Sequence, residues 1–555
     1  MSIGIFQEED YSFPPAHAPT MPGAPARPPH ALWRRRLYVA AGLLLGVSGG
    51  LGNALVSANL PYLLGAMGAQ TSELTWVPTA YSMTYVGMNL IFVRFRQQFG
   101  LRLFAMLALI GFCIITALHV LVRGLGGAVI VHAAAGVATA PFTTLSVYYL
   151  MAGWNPKTSY RGVIVGLGLS QIPTPLARAF SSDLLAIDQW RSLYSFELGL
   201  GLLCLGTVAL LRLPPSQRTK AFEPLDLVTY PLAAGGLALL CAVLGLGRTD
   251  WWGDAPWLGW ALAAAVPLLG AAAYIEMNRA RPLIDLRWLS APVLIRFAVV
   301  VFMSRIVLAE QTTTAIGLFS TLGITNDQLH QFSALLVASS IAGIVAGAVL
   351  FTPDRITEFG SLAIGLVAVG AFMDAHATNL TRPEQMYASQ MLIAFATTLF
   401  IGPAILFGVV FVLKERARTL PSYLVLFVIL QNLGGLAGSA LLGTFQVVRE
   451  KAISVPLYAQ LSPADPQVAM RLAMLGAALR GEVGDPALRS AQAAALLHRQ
   501  AAVEANILAY NNTFLLVAVL ATITFLYMAA LQILRWRRHL PLNSAAAIIR
   551  EMRKS

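Results

Sequence analysis

Long apolar stretches separated by short polar segments run along the chain from Leu37 to Leu534. In a helix, roughly 20 apolar residues cross a hydrocarbon core about 30 Å thick. Only helices and closed barrels satisfy every backbone group in lipid, and these stretches are continuous rather than alternating, so the pattern predicts an all-α membrane protein. We predict fourteen transmembrane helices, at residues 37–60, 74–93, 101–121, 127–150, 162–186, 192–212, 227–247, 257–277, 294–320, 329–352, 358–377, 385–411, 420–446 and 508–534.

The Lys and Arg residues between these spans are distributed unequally between the two sides of the membrane. In membrane proteins the cytoplasmic loops hold the excess of such residues. With the N-terminus inside, the outside loops hold only Arg123, Arg191, Arg248 and Arg382. The cytoplasmic segments hold Arg34, Arg35, Arg36, Arg94, Arg96, Arg102, Lys157, Arg161, Arg218, Lys220, Arg279, Arg281, Arg287, Arg355, Lys414, Arg416, Arg418, Arg535, Arg537 and Arg538. The asymmetry predicts both termini in the cytoplasm.

Composition supports the membrane assignment and excludes several other classes. The chain is 57% hydrophobic and only 12% charged, and the positive-inside distribution accounts for its net charge of +12 without a nucleic-acid partner. Its three cysteines fall inside spans, which excludes a disulfide framework or a CxxC metal site. Residues 1–32 are polar and proline-rich and are predicted to be a disordered cytoplasmic tail, and residues 535–555 form a basic cytoplasmic tail.

One extramembrane segment, the outside loop at residues 447–507, is much longer than the others. Asp465-Pro466 and Asp485-Pro486 each combine a capping carboxylate with a proline at the first helical position. Gly481 and Gly484 mark a turn between these two helix starts. The pattern predicts a periplasmic helical hairpin, which either caps its own transporter or provides a docking platform for a periplasmic partner.

Several short motifs occur in a fixed order between about residues 35 and 535. They are Leu225-Asp226-Leu227 opening the seventh span, Asp250-Trp251-Trp252 after it, Pro282-Leu283-Ile284-Asp285-Leu286 before the ninth span, and Gln500-Ala501, Leu508-Ala509-Tyr510 and Phe514 entering the last. Weaker ones are Leu60-Pro61, Trp76-Val77 and Gly434-Gly435 with Gly438. With fourteen spans and a long loop before the last, they make the chain resemble a divergent member of the EmrB/QacA group of drug:proton antiporters in the major facilitator superfamily.

The resemblance implies a major facilitator fold, in which two six-helix bundles rock about a central site. It places an N-terminal bundle at residues 33–212, two extra spans with linkers at 213–293 and a C-terminal bundle at 294–534. It also implies multidrug efflux by proton antiport from a bacterial inner membrane. A HlyD-type periplasmic adaptor and a TolC-like outer-membrane channel are the implied partners, and no cofactor or metal is expected.

The chain departs from this family at the motifs associated with coupling. Gly52 stands where the first span commonly has an acidic residue, and residues 93–100 keep only the last glycine and some positive charge of the usual Gly-x-Leu-x-Asp-Arg-x-Gly loop. His132 aligns with the usual Arg of the fourth span. Residues 173–182 lack the glycines of the antiporter motif, which allow close helix approach. The resemblance therefore supports transport better than it supports proton antiport.

The fifth span contains a periodic set of polar residues. Charged groups inside spans are costly in lipid and normally face a cavity or a partner. Gln171, Thr174, Arg178 and Ser181 recur at spacings of three, four and three, which predicts one polar helical face lining a central cavity. Arg178 would bind an anionic group, pair with a carboxylate or hold two helices together.

The ninth span contains the leading candidate for a proton carrier. Arg305 and Glu310 lie about 140° apart around a helix, too far to pair, whereas Glu310 shares a face with Thr313 and Thr314. Burial favours a neutral carboxyl and a nearby Arg favours the carboxylate, so Glu310 could bind and release protons. The alternative is a permanent salt bridge to Arg178 or another cation.

Other polar residues within the spans have weaker assignments. His132, which can titrate near neutral pH, joins Glu310, Arg305 and Arg178 as a coupling candidate. Glu197 and Asp374 lie near outer span ends and are predicted to be interface anchors. Substrate binding or helix pairing is assigned to Asn59, Tyr81, Tyr85, Asn89, Gln171, Thr174, Thr313, Thr314, Gln431 and Asn432.

Motifs of catalysis do not occur in the sequence. It has no nucleophile elbow, phosphate loop, HExxH or paired catalytic carboxylates, so we expect no enzymatic activity. The sequence favours a secondary transporter that exports amphiphilic small molecules as part of a tripartite efflux system. Two alternatives are a dedicated exporter of an organic acid or siderophore-like metabolite and a non-transporting receptor or scaffold.

Overall fold

The computed structural model is built from α-helices. It describes residues 14, 17, 19, 23–122, 124–155, 158–351, 355–415 and 419–537, and within these ranges the only extended pairing is an isolated bridge between Pro25 and Ser216. The helices are α1 (Leu32–Ala58), α2 (Leu60–Met67), α3 (Thr71–Phe99), α4 (Leu101–Leu121), α5 (Leu125–Gly153), α6 (Tyr160–Gly168), α7 (Pro173–Leu210), α8 (Asp226–Leu246), α9 (Pro256–Asn278), α10 (Leu286–Leu289), α11 (Pro292–Val307), α12 (Ile316–Thr321), α13 (His330–Leu350), α14 (Ile356–Asp374), α15 (Tyr387–Glu415), α16 (Leu420–Ala459), α17 (Pro466–Ala478) and α18 (Pro486–Arg537).

Most of these helices are suited to a bilayer. In the described ranges, 12 helical segments are long and apolar enough to cross a membrane, or 13 if the bent pair Tyr160–Gln171 and Pro173–Ile187 forms one span. The predicted second span corresponds to α3, which has 29 residues but does not meet the same test of apolarity. The prediction of an all-α, multi-pass membrane protein is confirmed, whereas the count of fourteen spans stays a prediction.

Two predicted spans are interrupted where the sequence disturbs the helix. Pro173 has no backbone N–H and begins α7, and the chain bends by 44° at this point. α7 then continues for 38 residues through both the fifth and the sixth predicted spans. The ninth span consists of α11, a π-helical turn at Gln311–Ala315 and α12. Side chains in both spans therefore point in directions that an ideal helix would not give.

The helices form two similar sets of six spans. The N-terminal set is α1, α3, α4, α5, the bent segment formed by α6 and the first part of α7 to Ile187, and the second part of α7, Trp190–Leu210. The C-terminal set is α11–α12, α13, α14, α15, α16 and α18. Corresponding pairs pack together in both sets: α4 contacts α5 and α7, and α14 contacts α15 and α18. Helix α6 contacts α13 and α15 and so joins the two sets.

The additional pair α8–α9 packs against the N-terminal set through α3, and buried charges hold it there. Asp226, 1% exposed, pairs with Arg94 of α3 at 3.0 Å and with Arg279 at the end of α9. Arg279 also lies 3.4 Å from Glu276. Arg94 lies in residues 93–100, where the sequence departs from the family motif, and here it joins α3 to α8.

Part of the segment predicted to be a disordered tail is packed in the structure. The backbone N–H of Ala26 donates to Pro215 O at 3.0 Å, and that of Gly23 donates to Gln217 O at 3.2 Å. Ala24 and Ala26 are buried. Most of residues 1–22, residues 538–555, and Arg123, Lys157, Arg416 and Arg418 lie outside the described residues.

The long loop before the last span is helical. α17 begins at Pro466, where the Asp465 carboxylate accepts the N–H of Gln467 at 2.8 Å, and α18 begins at Pro486, where Asp485 accepts the N–H of Ala487 at 2.9 Å. α18 has 52 residues and continues without a break into the last span, while α16 extends to Ala459. A helical extension of three segments therefore stands on one end of the C-terminal set.

Candidate functional site

Glu310 lies at the centre of a buried cluster of polar side chains in the C-terminal set. It is 0% exposed, and its Oε1 accepts a hydrogen bond from the side-chain amide of Gln390 in α15 at 3.0 Å. The same amide nitrogen donates to Asp374 Oδ2 at 2.7 Å, and Ser389 donates to the other oxygen of Asp374. We call Glu310, Asp374 and Gln390 the carboxyl hub, because one amide joins two carboxyl groups from different helices.

The carboxyl hub has too few donors for two charged carboxylates. Oε2 of Glu310 is buried and has no hydrogen-bond partner, and neither carboxyl has a Lys or Arg partner among the residues that the structure describes. Burying an unpaired charge is expensive, and two neighbouring anions repel each other. The arrangement is therefore suited to binding and releasing a proton.

The backbone beside Glu310 is also unusual. The π-helical turn at Gln311–Ala315 follows it directly, and such turns are frequent at functional sites. The turn changes the rotation of the helix, so the predicted common face of Glu310, Thr313 and Thr314 is not that of an ideal helix. Thr313 donates to Ser439 at 2.9 Å, whereas Thr314 is buried without a partner for its hydroxyl.

His132 forms a second buried cluster in the N-terminal set. Its Nδ1 lies 3.3 Å from Nε2 of His119 in α4, and its Nε2 lies 3.3 Å from Oδ1 of Asn53 in α1. Both imidazoles are 2% exposed. We call Asn53, His119 and His132 the imidazole hub.

The two hubs occupy corresponding helices of the two sets. In each, a residue of the fourth helix bridges a residue of the first helix and one of the third. The bridging residues are Gln390 in α15 and His132 in α5. The two sets thus have the same arrangement of bridging hydrogen bonds, made by different chemical groups.

Polar side chains join the two sets where α7 meets the start of α13. Nη1 of Arg178 donates to Asn326 Oδ1 at 2.9 Å, and the Asn326 amide donates to Ala58 O at 2.6 Å and to Asn59 Oδ1 at 3.2 Å. His330 lies 2.8 Å from the Ser182 hydroxyl. We call Asn59, Arg178, Ser182, Asn326 and His330 the seam. By the predicted orientation it lies at the outside end of the spans.

The alternative for Glu310, a salt bridge to Arg178, does not form in the structure, because the two residues bond to different partners. Arg178 reaches Asn326 across the seam, and Glu310 bonds to Gln390. Arg305 is not paired with Glu310 either, as expected. Its Nη1 donates to Gln171 at 3.1 Å, and its Nε donates to Gln431 O at 3.2 Å.

The predicted polar face of the fifth span is interrupted. Gln171 lies in a short 3₁₀ turn before Pro173, so it does not share a continuous helix with Thr174, Arg178 and Ser181. Ser181 nevertheless joins the seam, since its hydroxyl donates to Asn59 Oδ1 at 3.3 Å. The interruption follows from the proline, which removes one donor from the helix ladder.

The other cavity candidates make local or interhelical contacts. Asn89 and Asn432 donate to carbonyls four residues earlier in their own helices, at 2.7 and 2.8 Å. Tyr81 accepts a hydrogen bond from Thr139 at 2.7 Å, and Tyr85 lies 3.5 Å from Thr143. These contacts favour the assignment of Tyr81 and Tyr85 to helix pairing between α3 and α5.

Glu197 and Asp374 are not interface anchors, in contrast to the prediction from the sequence. Each is 5% exposed, and both lie inside the protein. Gln390 and His119 were missed as candidates. An ionisable or amide residue in an apolar span was the available signal for both, but their partners come from helices distant in sequence.

A cavity of about 100 Å³ lies away from both hubs. Residues 24–30 form one wall, and Arg35, Tyr148 and Ser159 contribute to the other. Arg35 donates to Gly153 O at 3.0 Å, which fixes the start of α1 against the end of α5. The cavity therefore belongs to the packed N-terminal segment and contains none of the coupling candidates.

Comparison with known proteins reveals similarity only at the level of structure. No protein-family model and no characterised protein sequence matches the chain. The human organic anion transporter MFSD10 (TETRAN) superposes with a TM-score of 0.54 at 14% identity, covering 89% of this chain and 100% of that one. The proton:xylose symporter XylE of the major facilitator superfamily, bound to 6-bromo-6-deoxy-D-glucose, gives 0.53 at 14% identity, with coverages of 90% and 96%.

These similarities extend over about nine tenths of the chain. At this identity they establish the fold alone, and the closer resemblance to the EmrB/QacA group stays a prediction. The chain has the fold of the major facilitator superfamily, with the additional helices α8 and α9 and a helical extension before its last span.

Proposed function

We propose that this protein is a secondary transporter that exports amphiphilic small molecules from the bacterial cytoplasm by proton antiport. The observation that carries the proposal is the carboxyl hub, in which Glu310 is completely buried, has one oxygen without a partner and shares an amide donor with Asp374. A fold whose two halves rock about a central site would expose such a group alternately to the two sides.

Proton exchange at the hub would follow from its unequal donors. With one proton on the pair, the Gln390 amide and Ser389 can satisfy the remaining carboxylate. With two negative charges, Glu310 Oε2 would be a desolvated anionic oxygen without a donor. A change in packing around the π-helical turn could therefore change the proton affinity of the pair and couple it to substrate movement.

The dedicated export of an organic acid is a second candidate function, and two arginines favour it. Arg178 and Arg305 lie within the spans, and in the described part of the chain they bond to amides and a carbonyl rather than to carboxylates. Nε of Arg178 is buried without a partner. An anionic substrate could supply the missing charge, and one structural neighbour, MFSD10, is an organic anion transporter.

A tripartite assembly is the third part of the proposal. The helical extension formed by the ends of α16 and α18 with α17 exposes Met470, Met474 and Leu488, each more than half exposed. Such a surface is suited to a HlyD-type adaptor that leads to a TolC-like channel. Replacing α17 with a short linker should abolish pull-down of the adaptor and leave proton release by the purified transporter intact.

The test of the central proposal is proton release by purified protein in detergent, read with a pH indicator during addition of lipophilic cations and organic acids. We expect wild type to release protons with at least one class and Glu310→Gln to release substantially fewer. The matched control is Glu358→Gln, which replaces an exposed carboxylate 3.7 Å from Arg355. It should release as many protons as wild type.

Each other outcome has a defined meaning. Equal release from wild type and Glu310→Gln would refute the role of Glu310. Binding of a compound without any release would refute proton coupling. Absence of export by wild type, together with a wild-type cellular phenotype for variants of both Glu310 and Arg178, would favour the non-transporting scaffold.

A further inference from the structure

Glu197 lies in an unusual place within the N-terminal set. It belongs to the apolar part of α7 and is 5% exposed. Its carboxyl rests on the backbone of Gly52 in α1, so that a methyl group built on Gly52 would overlap Oε1 and lie 2.8 Å from Oε2. Only a glycine leaves room for the carboxyl in this position.

The carboxyl of Glu197 has no observed partner. Within the described ranges, no hydrogen bond or ion pair reaches it. The two arginines of α7 itself are engaged elsewhere: Arg178 bonds to Asn326, and Arg191 stacks on Trp190 at 5.5 Å. A buried carboxylate without a cation is expensive, and the simplest way to remove its charge is to bind a proton.

The same end of α1 and α7 also holds the imidazole hub. Asn53, the residue after Gly52, contacts His132. Tyr194, one turn before Glu197, stacks on His119 with ring centroids 4.6 Å apart. The titratable groups that the packed helices bring to this region are Tyr81 of α3, His119 of α4, His132 of α5 and Tyr194 of α7 itself.

We propose that Glu197, seated on Gly52, is a second proton-binding site, located in the N-terminal set. The site binds one proton as a carboxylic acid and releases it to water when the helices α1 and α7 move apart. Its use in transport rests on the proposed function, whereas proton binding itself can be measured without any substrate.

The experiment is pH-dependent infrared difference spectroscopy of the full-length protein in lipid, in sodium-free buffer, with the proton as the only ligand. The carbonyl stretch of protonated carboxyl groups reports each buried acid directly. We expect wild type to lose at least two such components on alkalinisation. Glu197→Gln should lack one of them, and Glu310→Gln should lack another.

Gly52→Ala gives a second and less disruptive test, because the added methyl group displaces the Glu197 carboxyl without removing it. We expect the Glu197 component to shift in frequency and midpoint. Gly199→Ala, on the same helix as Glu197 but with no atom near the added methyl group, is the matched control and should give the wild-type spectrum.

The outcomes separate this proposal from the proposed function. Superimposable spectra for wild type and Glu197→Gln would overturn the inference. A Glu197 component that disappears on addition of sodium chloride, but not of choline chloride, would also overturn it, because the site would then bind sodium. If alkalinisation of wild type removes the Glu310 component but no Glu197 component, the inference about Glu197 is overturned and the proposed function is not. If alkalinisation of wild type removes a Glu197 component, but the purified protein releases no protons on addition of substrate, the inference is supported and the proposed function is refuted.

Discussion

The carboxyl hub and the imidazole hub share one plan and differ in what they can do with a proton. Each joins the first, third and fourth helices of its set through a single bridging side chain. In the imidazole hub every member can be neutral, because a neutral imidazole both donates and accepts and an amide oxygen accepts. In the carboxyl hub two acids compete for one amide, and one oxygen is left over.

This difference indicates that the position of a buried polar cluster follows from the repeated fold, whereas its ability to change charge depends on its side chains. A neutral network stabilises helix packing in a constant manner. A pair of acids with too few donors can bind or release a proton, and a conformational change can favour either state. We therefore propose that the imidazole hub anchors helices and that the carboxyl hub exchanges protons, with Glu197 as an acid beside the imidazole hub.

The largest expected effect comes from removing the bridge of the carboxyl hub. Gln390→Leu takes away a donor from both Glu310 and Asp374, and Asp374 keeps only Ser389. Hydrogen bonds to charged groups contribute about 1.5–3 kcal/mol each. We expect the apparent melting temperature in detergent to fall, more in alkaline than in acidic buffer, because ionised carboxyls need the donor more than neutral ones do.

Gln446→Leu is the control for this variant. Gln446 is also buried, and its amide donates to Asn506 rather than to a carboxyl, at 2.8 Å. Its loss should lower the melting temperature by a similar amount at every pH. If the two variants showed the same dependence on pH, the contrast between a charged and a neutral hub would be wrong.

The second effect concerns the bridge of the imidazole hub. His132→Leu leaves Asn53 Oδ1 and His119 Nε2 without a partner, at a cost of about 1–3 kcal/mol. His132→Gln introduces at this position the same type of side chain that bridges the carboxyl hub. It should recover most of the stability lost in His132→Leu. Melting curves of both variants test this, and failure of glutamine to rescue would show that the two hubs do not share one plan.

Sequence reasoning identified one member of each hub as a coupling candidate but did not place it with its partners. Glu310 and His132 stand out as ionisable residues in apolar spans, a property that a single sequence displays. Gln390 is 80 residues from Glu310, and His132 meets Asn53 across 79 residues, so both contacts depend on helix packing. No periodicity within one span contains that information.

The surroundings of Glu197 and Thr314 in the structure differ from those expected from the sequence. Glu197 was expected at a span end as an interface anchor, but it lies within the span Trp190–Leu210 and is buried inside the protein. The π-helical turn after Glu310 rotates Thr313 and Thr314 away from the ideal register. The fold class, in contrast, follows from the length and apolarity of the spans alone.

The third effect tests whether the two sets act together. Asn326→Ala removes its bonds to Ala58, Asn59 and Arg178 across the seam, and the loss of about 1 kcal/mol should raise the population with an open seam several-fold. A cysteine introduced at Thr174 should then react faster with an impermeant maleimide, against a low background because Cys113, Cys204 and Cys241 are buried.

Asn506→Ala removes an amide that bonds within the C-terminal set and serves as the control. The labelling rate of the cysteine introduced at Thr174 should then equal that of the parent. Equal rates for both variants and the parent would contradict a role of the seam in holding the two sets together.

The smallest effect lies outside the membrane, where another imidazole is held neutral. His30 is half-buried beside Tyr38, and burial, followed by the nearby charges of Arg34 and Arg35, lowers its pKa from 6.5 to about 4. A lowered pKa means that the unfolded segment binds more protons than the packed one. The packing of residues 23–31 is therefore fully stable above pH 6.5 and weakens as the pH falls towards about 4.

Hydrogen exchange of residues 23–31 as a function of pH measures this weakening, after correction for the intrinsic exchange rate. We expect protection to decrease through this window in wild type and to remain nearly constant in His30→Gln, which cannot be protonated. The imidazole hub should not open in the same window, because protonating it requires a charge in the protein interior rather than at its edge. Parallel loss of protection in α5 around His132 would show instead that both imidazole sites respond to acid, and the contrast between a neutral hub and a titrating hub would then fail.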